Sequence, residues 1–133
     1  MIIESSFRKF SECDIPRPWV PTIIINPHSK KSTKIWGLID TGADECALPA
    51  DYAVLLGHNL QAGRPKTINT GNGQTIAYSH TMCIKVNDLE LNNILIDFMP
   101  NLQTCILGVS NFLSKFILTI NYPKKSFSLQ QKS

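Results

Sequence analysis

The segment Gly37-Leu38-Ile39-Asp40-Thr41-Gly42-Ala43-Asp44 constrains this chain more than any other. An apolar, strand-like run ends in a carboxylate, and a hydroxyl and a glycine follow it. A carboxylate at the end of a buried strand is costly unless hydrogen bonds satisfy it. Gly42 lets the backbone fold back so that main-chain N–H groups approach Asp40, and Thr41 brings a hydroxyl that can reach a backbone partner. The result is a fixed, partly desolvated carboxylate. Taken alone, the tripeptide Asp40-Thr41-Gly42 also suits an ordinary strand-ending turn in which the aspartate bonds its own backbone.

The flanking sequence is read as mainly β. Pro16, Pro18 and Pro21 make the first stretch extended and exclude a helix there. Thr22–Ile25 and Thr33–Ile39 form a hairpin about the polar turn 26–32. Proline at the start, helix-favouring residues and a closing glycine predict a two-turn helix over Pro49–Gly57. In Asn69-Thr70-Gly71-Asn72-Gly73-Gln74, two glycines two residues apart between β-branched or apolar flanks mark a hairpin tip. Ile76–Val86 and Leu89–Phe98 are strands joined at Asn87-Asp88, with Ile94, Ile96 and Phe98 on one face by the period of two. Gly108–Phe116 is read as a second short helix, Phe112 and Phe116 being four apart. Ile117–Ile120 and Ser126–Leu129 are closing strands about Pro123-Lys124-Lys125.

At 133 residues the chain suffices for one domain with a single core. We assign 1–20 to an extended N-terminal segment that is a candidate interface, 21–129 to the domain, and 130–133 to a frayed end. Thirteen Lys+Arg against ten Asp+Glu give +3, too modest for a polyanion binder. The lysines at 30, 31 and 34 and at 124 and 125 are read as solvated turn residues. No apolar run approaches the roughly 20 residues of a membrane span, and no leader pattern opens the chain, so the expectation is a soluble, cytoplasmic protein. Cys13, Cys46, Cys83 and Cys105 form no C-x-x-C pair and are expected to be ordinary thiols, not metal ligands. A cysteine hydrolase built on Cys46 or Cys83 with His58 or His80 lacks the helix-start setting that lowers a thiol's pKa.

Leu38-Ile39-Asp40-Thr41-Gly42-Ala43-Asp44, then Leu48-Pro49, the short helix, the glycine-bearing hairpin and Ile106-Leu107-Gly108 resemble, in this order, the retropepsin-like single-domain aspartic proteases of the cellular and bacterial type. The resemblance covers roughly residues 20 to 129. It implies a closed β-barrel active as a symmetric dimer, and an aspartic endopeptidase that needs no cofactor or metal. Two carboxylates sharing a proton are required for that chemistry. The chain holds one such motif. Asp44 lies past the turn, and Asp51, Asp88 and Asp97 are in unrelated contexts, so the second carboxylate is assigned to Asp40 of another copy. The partners expected are therefore a second subunit and a peptide or protein substrate, with no nucleic acid and no membrane.

The resemblance also implies roles for other residues. Thr41, Gly42 and Ala43 support the active-site loop; Ile106, Leu107 and Gly108 form a second loop crossing beneath it. Substrate contacts fall to Leu38, Asp44, Ala47, Ile76, Ile106 and Val109, and Gly71, Asn72 and Gly73 form the tip of a flap that closes over the peptide. There are departures from the retroviral pattern. Val109 and Ser110 stand where an arginine commonly follows the second-loop glycine, so Asp44 lacks its usual partner. The flap is polar at Asn72, Gln74 and Thr75, and Phe116–Lys125 extends past the point where retroviral chains end. The alternative carried with this reading is a non-catalytic dimer of the same fold that binds peptides or serves assembly.

Overall fold

The structure, a computed structural model, describes residues 2–71 and 73–131. Ten strands dominate it: β1 (Ile2–Ser6), β2 (Trp19–Ile25), β3 (Ser32–Ile39), β4 (Ala47–Pro49), β5 (Arg64–Thr70), β6 (Gly73–Val86), β7 (Leu89–Met99), β8 (Cys105–Leu107), β9 (Phe116–Asn121) and β10 (Ser126–Gln131). They form two sheets. In the larger one the order is β2-β3-β8-β4-β7-β6-β5, and a further β2–β6 pairing closes six of these strands into a barrel. The fifth strand lies outside that ring, bonded to β6 alone. The smaller sheet, β1-β10-β9, is antiparallel.

The core follows from the alternation of side chains along the strands. Ile94, Ile96 and Phe98 of β7 are buried together, with Met82 and Ile84 of β6 and Ile24 of β2. Leu129 and Phe127 of β10 and Ile3 of β1 bring the small sheet against the same cluster. The N-terminal stretch thus contributes a strand that composition gave no reason to expect. Residues 8 and 17 then bridge to one another, and Phe10 rests on the indoles of Trp19 and Trp36.

Both expected helices are shorter than the sequence suggests. Pro49 belongs to β4, in register with Met99, so the helix α1 starts at Asp51 and ends at Leu55, before Gly57 at φ +80. Between Gly108 and Phe116 only a 3-10 turn forms, Leu113–Lys115. Phe112 takes φ −133 and ψ −67, outside helical space, while Leu113 N–H already bonds Gly108 O. The Phe112 and Phe116 rings still meet, their centroids 5.0 Å apart.

The hairpin read from the two glycines is present. Arg64–Thr70 pairs with Gly73–Ser79, and Gly73 carries φ +106, a left-handed conformation that favours glycine. Pairing of β6 with β7 begins at Tyr78, so among the described strands residues 73–77 pair with β5 and the hairpin projects past the end of the barrel's ladder.

Candidate active site

Asp40 is the first residue past β3 and is partly exposed. Gly42 N–H donates to its Oδ1 at 2.9 Å, and Ala43 N–H donates to its carbonyl at 3.2 Å. The turn therefore holds the carboxylate through one main-chain donor, Gly42 N–H, while Ala43 N–H closes the turn on the Asp40 carbonyl.

A second loop fixes the first. β8 runs parallel to β3 with Leu38 opposite Ile106 and Ile39 opposite Leu107, and Asp40 N–H continues that ladder to Leu107 O at 3.2 Å. Past β8 the chain crosses the segment that follows Asp40. Val109 N–H bonds Ala43 O at 2.9 Å and Ser110 N–H bonds Asp44 O at 2.7 Å. Gly108 sits at the crossing, where an added Cβ would collide with the main chain of Glu45. Its N–H points at Cys46 Sγ, 3.4 Å away.

Asn111 buttresses the same crossing. Its Oδ1 accepts from Cys46 N–H at 3.1 Å and its Nδ2 donates to Leu95 O at 2.7 Å. No motif in the sequence singles it out.

These loops form the floor of a groove of about 500 Å³. Asp40, Ala43, Asp44, Ala47 and Ile106 line it. Leu38 stands half-buried in β3 beside Ile106, its register partner in β8. The structure places Gly71, Gly73 and Ile76 on the exposed hairpin and Val109 on the exposed side of the second loop, away from the groove of the single chain. Asn72 lies outside the described residues.

Further lining residues come from the hairpin's outer strand, Lys66 to Asn69, and from Glu45, Asp97, Met99 and Leu102. Asp97 corrects the sequence reading, in which its context seemed unrelated to Asp40. It is only 4% exposed, yet it faces the same groove, because β7 pairs with β4 and brings Asp97 opposite Ala47. Both its oxygens are engaged: Ser79 Oγ donates to Oδ1 at 2.7 Å, and Lys66 Nζ meets Oδ2 at 3.2 Å. The same ammonium lies 2.9 Å from Glu45 Oε2. Hydrogen bonding to Glu45 first, and to Asp97 after it, pushes the Lys66 pKa above its ordinary value.

Cys46 and Cys83 are poor nucleophiles in this setting. Burial pushes the Cys46 thiol up to about 12, against a smaller opposite effect of the Gly108 N–H; burial and the Glu90 carboxylate push Cys83 up to about 11. His80 Nε2 bonds Leu60 O, and His58 meets Met82 Sδ at 3.0 Å, so each imidazole is turned to another partner. Among the described residues no three His, Cys, Asp or Glu side chains gather as a metal would require. Nor, among them, is any helix long and apolar enough to cross a membrane.

A closed β-barrel whose active-site turn is pinned by a crossing glycine loop defines the retropepsin-like class. The family model described as "gag-polyprotein putative aspartyl protease" matches residues 30–115, and the chain belongs to that family. Among solved structures, it is similar to a retropepsin-like aspartic protease from Rickettsia conorii, with a TM-score of 0.71 and 23% identity over 97% of this chain and 91% of that one. The EIAV protease complexed with the inhibitor HBY-793 superimposes with a TM-score of 0.51 and 22% identity over 76% of this chain and 88% of that one. At these identities the likeness is one of fold. No curated protein matches the chain.

Proposed function

We propose that the protein is an aspartic endopeptidase that works as a symmetric homodimer, each subunit giving one Asp40 to a shared dyad. One carboxylate would take a proton from water as general base while its neighbour protonates the carbonyl oxygen of the scissile bond. The observation that carries this reading is the Gly42-held carboxylate of Asp40 at the floor of a groove that a projecting hairpin overhangs. Among the described residues a single chain offers no second free carboxylate in a matching setting. Asp97 is committed to Ser79 and Lys66, and Asp44 is exposed past the turn. A two-fold axis beside Asp40 supplies the missing group, since it brings a residue against its own copy.

The other roles follow from the same arrangement. Thr41, exposed beside Asp40, would bond across the axis to the partner's loop. Ala43, Asp44, Ala47 and Ile106 would contact the peptide. The hairpin 64–79, with Gly71 and Gly73 at its tip and Ile76 beside it, would act as the flap that excludes water; Leu38 and Val109 would complete the side-chain pockets.

The test is hydrolysis of a mixed peptide library between about pH 4 and 7 by wild type and Asp40→Asn, with sedimentation of both. Cleavage by wild type alone, blocked by a statine-type transition-state analogue, is the expected result. Two dimers that cleave nothing would overturn it and leave a peptide-binding module of the same fold.

A further inference from the structure

Strand β5 is the edge of the large sheet, joined to the barrel by β6 alone among the strands. Lys66 nevertheless ties it by ion pairs to the floor of the groove. Across the hairpin Lys66 stands opposite Ala77, which is fully buried and small enough to leave room for the lysine stem. Two residues along β6, on the same face, lies Ser79, whose cross-strand neighbour on β7 is Asp97. From there the contacts run 2.9 Å from Lys66 Nζ to Glu45 Oε2, 3.2 Å to Asp97 Oδ2, and 2.7 Å from Ser79 Oγ to Asp97 Oδ1.

Both carboxylates are rooted where the floor is stiffest. Asp97 N–H bonds Cys46 O at 3.1 Å, and Glu45 is the residue over which Gly108 crosses. An exposed lysine pairing with an exposed glutamate holds little. A lysine that also compensates a buried carboxylate is different, because without it Asp97 would keep one charge in a nearly dry site with only a serine hydroxyl to meet it.

We propose that Lys66 is a positioning residue, an ionic tether that holds the outer flap strand down on the groove floor and sets how tightly a bound peptide is clasped. This rests on the proteolytic reading above, in which the hairpin is the flap. The tether joins β5 to two elements with which it shares no backbone ladder, the segment after Asp40 and β7. Losing it frees the outer strand without touching Asp40 or its hydrogen bonds, so the cost falls on binding more than on the chemical step. Arginine, whose fork spans two carboxylates, restores it.

The experiment is hydrogen exchange by mass spectrometry over residues 64–79 in wild type, Lys66→Met and Lys66→Arg, with peptide kinetics alongside. Exchange in 64–70 is expected to rise several-fold in Lys66→Met and to return toward wild type in Lys66→Arg. KM should rise several-fold in the methionine variant while kcat changes by less than twofold. Hairpin exchange unchanged in Lys66→Met would overturn the tether. If the wild type itself cleaves no peptide, the proteolytic reading fails, and the exchange measurement still decides the tether. Because Lys66→Met leaves the buried Asp97 carboxylate uncompensated, exchange in the barrel strands of the same variant is the control: a rise confined to 64–70 supports the tether, and an even rise over the whole barrel would overturn it.

Discussion

Gly108 lies so close to the main chain of Glu45 that one added methyl group would overlap the glutamate's carbonyl. The obstacle is backbone, which cannot swing aside as a side-chain end can. It is also backbone of the active-site segment, four residues before β4 ends and five after Asp40. Gly108→Ala must separate the two loops or break the Val109–Ala43 and Ser110–Asp44 bonds between them. Overpacking of this kind costs about 1–3 kcal/mol, and a rigid obstacle puts this site at the upper end. The denaturant midpoint should fall accordingly, and turnover should fall further than stability does because Asp40 moves with its loop. A variant with wild-type stability would show that the crossing is looser than the geometry indicates.

The burial of His58, beside His80, makes stability fall on the acid side. Their ring centroids lie 4.2 Å apart at the foot of the hairpin, with Phe98 against both and Met82 Sδ on His58. Burial first, then His80 and His28, lower the His58 pKa below its ordinary 6.5. The unfolded chain therefore binds a proton that the folded one resists. Stability from this group is complete above about pH 6.5 and declines as pH falls through the lowered value. Thermal midpoints from pH 7.5 to 5 should drop more steeply for wild type than for His58→Gln. Parallel curves would remove His58 from the account.

Three of the four cysteines should be silent to alkylation in the native protein. Cys46, Cys83 and Cys105 are buried and Cys13 is exposed. Burial also raises the thiol pKa of all three, of Cys105 most strongly, so the reactive thiolate is scarce at neutral pH as well as shielded. Iodoacetamide at pH 7.5 should add one carbamidomethyl group, at Cys13, and four after denaturation. A second native adduct would mean that a strand carrying a buried thiol opens readily.

What the sequence disclosed and what it withheld divide along the range of the interactions. The Asp40 turn, the hairpin about Gly71 and Gly73, and the buried face of Ile94, Ile96 and Phe98 are local patterns, legible from spacing. Strands β4 and β8 are three residues each, too short to show alternation, and exist because β8 pairs in parallel with Gly37–Ile39 and β4 with Asp97–Met99. Asp97 looked like any strand residue until the β4–β7 register set it in the groove with Lys66, thirty-one positions away. The pairing of β1 with β10 spans nearly the whole chain, and proline content alone said nothing of it.

Asn111 was invisible for the same reason, and it offers a sharp test of how the active-site segment is held. Its amide spans two elements, taking Cys46 N–H at 3.1 Å and giving a hydrogen to Leu95 O at 2.7 Å. Cys46 follows directly on the crossing at Glu45, so this one side chain fixes the far end of the loop whose near end is Asp40. In Asn111→Ala the Cys46 N–H and Leu95 O lose their partner together. A buried donor left unmet costs about 1–3 kcal/mol, and partial access of water to this site places the loss toward the lower end. Asn111→Asp separates the two bonds, because a carboxylate accepts from Cys46 N–H as the amide does but has no hydrogen for Leu95 O. Equilibrium unfolding should therefore rank the proteins wild type, then Asn111→Asp, then Asn111→Ala. Peptide turnover should follow the state of the Cys46 bond and be better kept in Asn111→Asp than in Asn111→Ala. Equal turnover in the two variants would mean that the Leu95 bond, not the Cys46 bond, holds the segment in place.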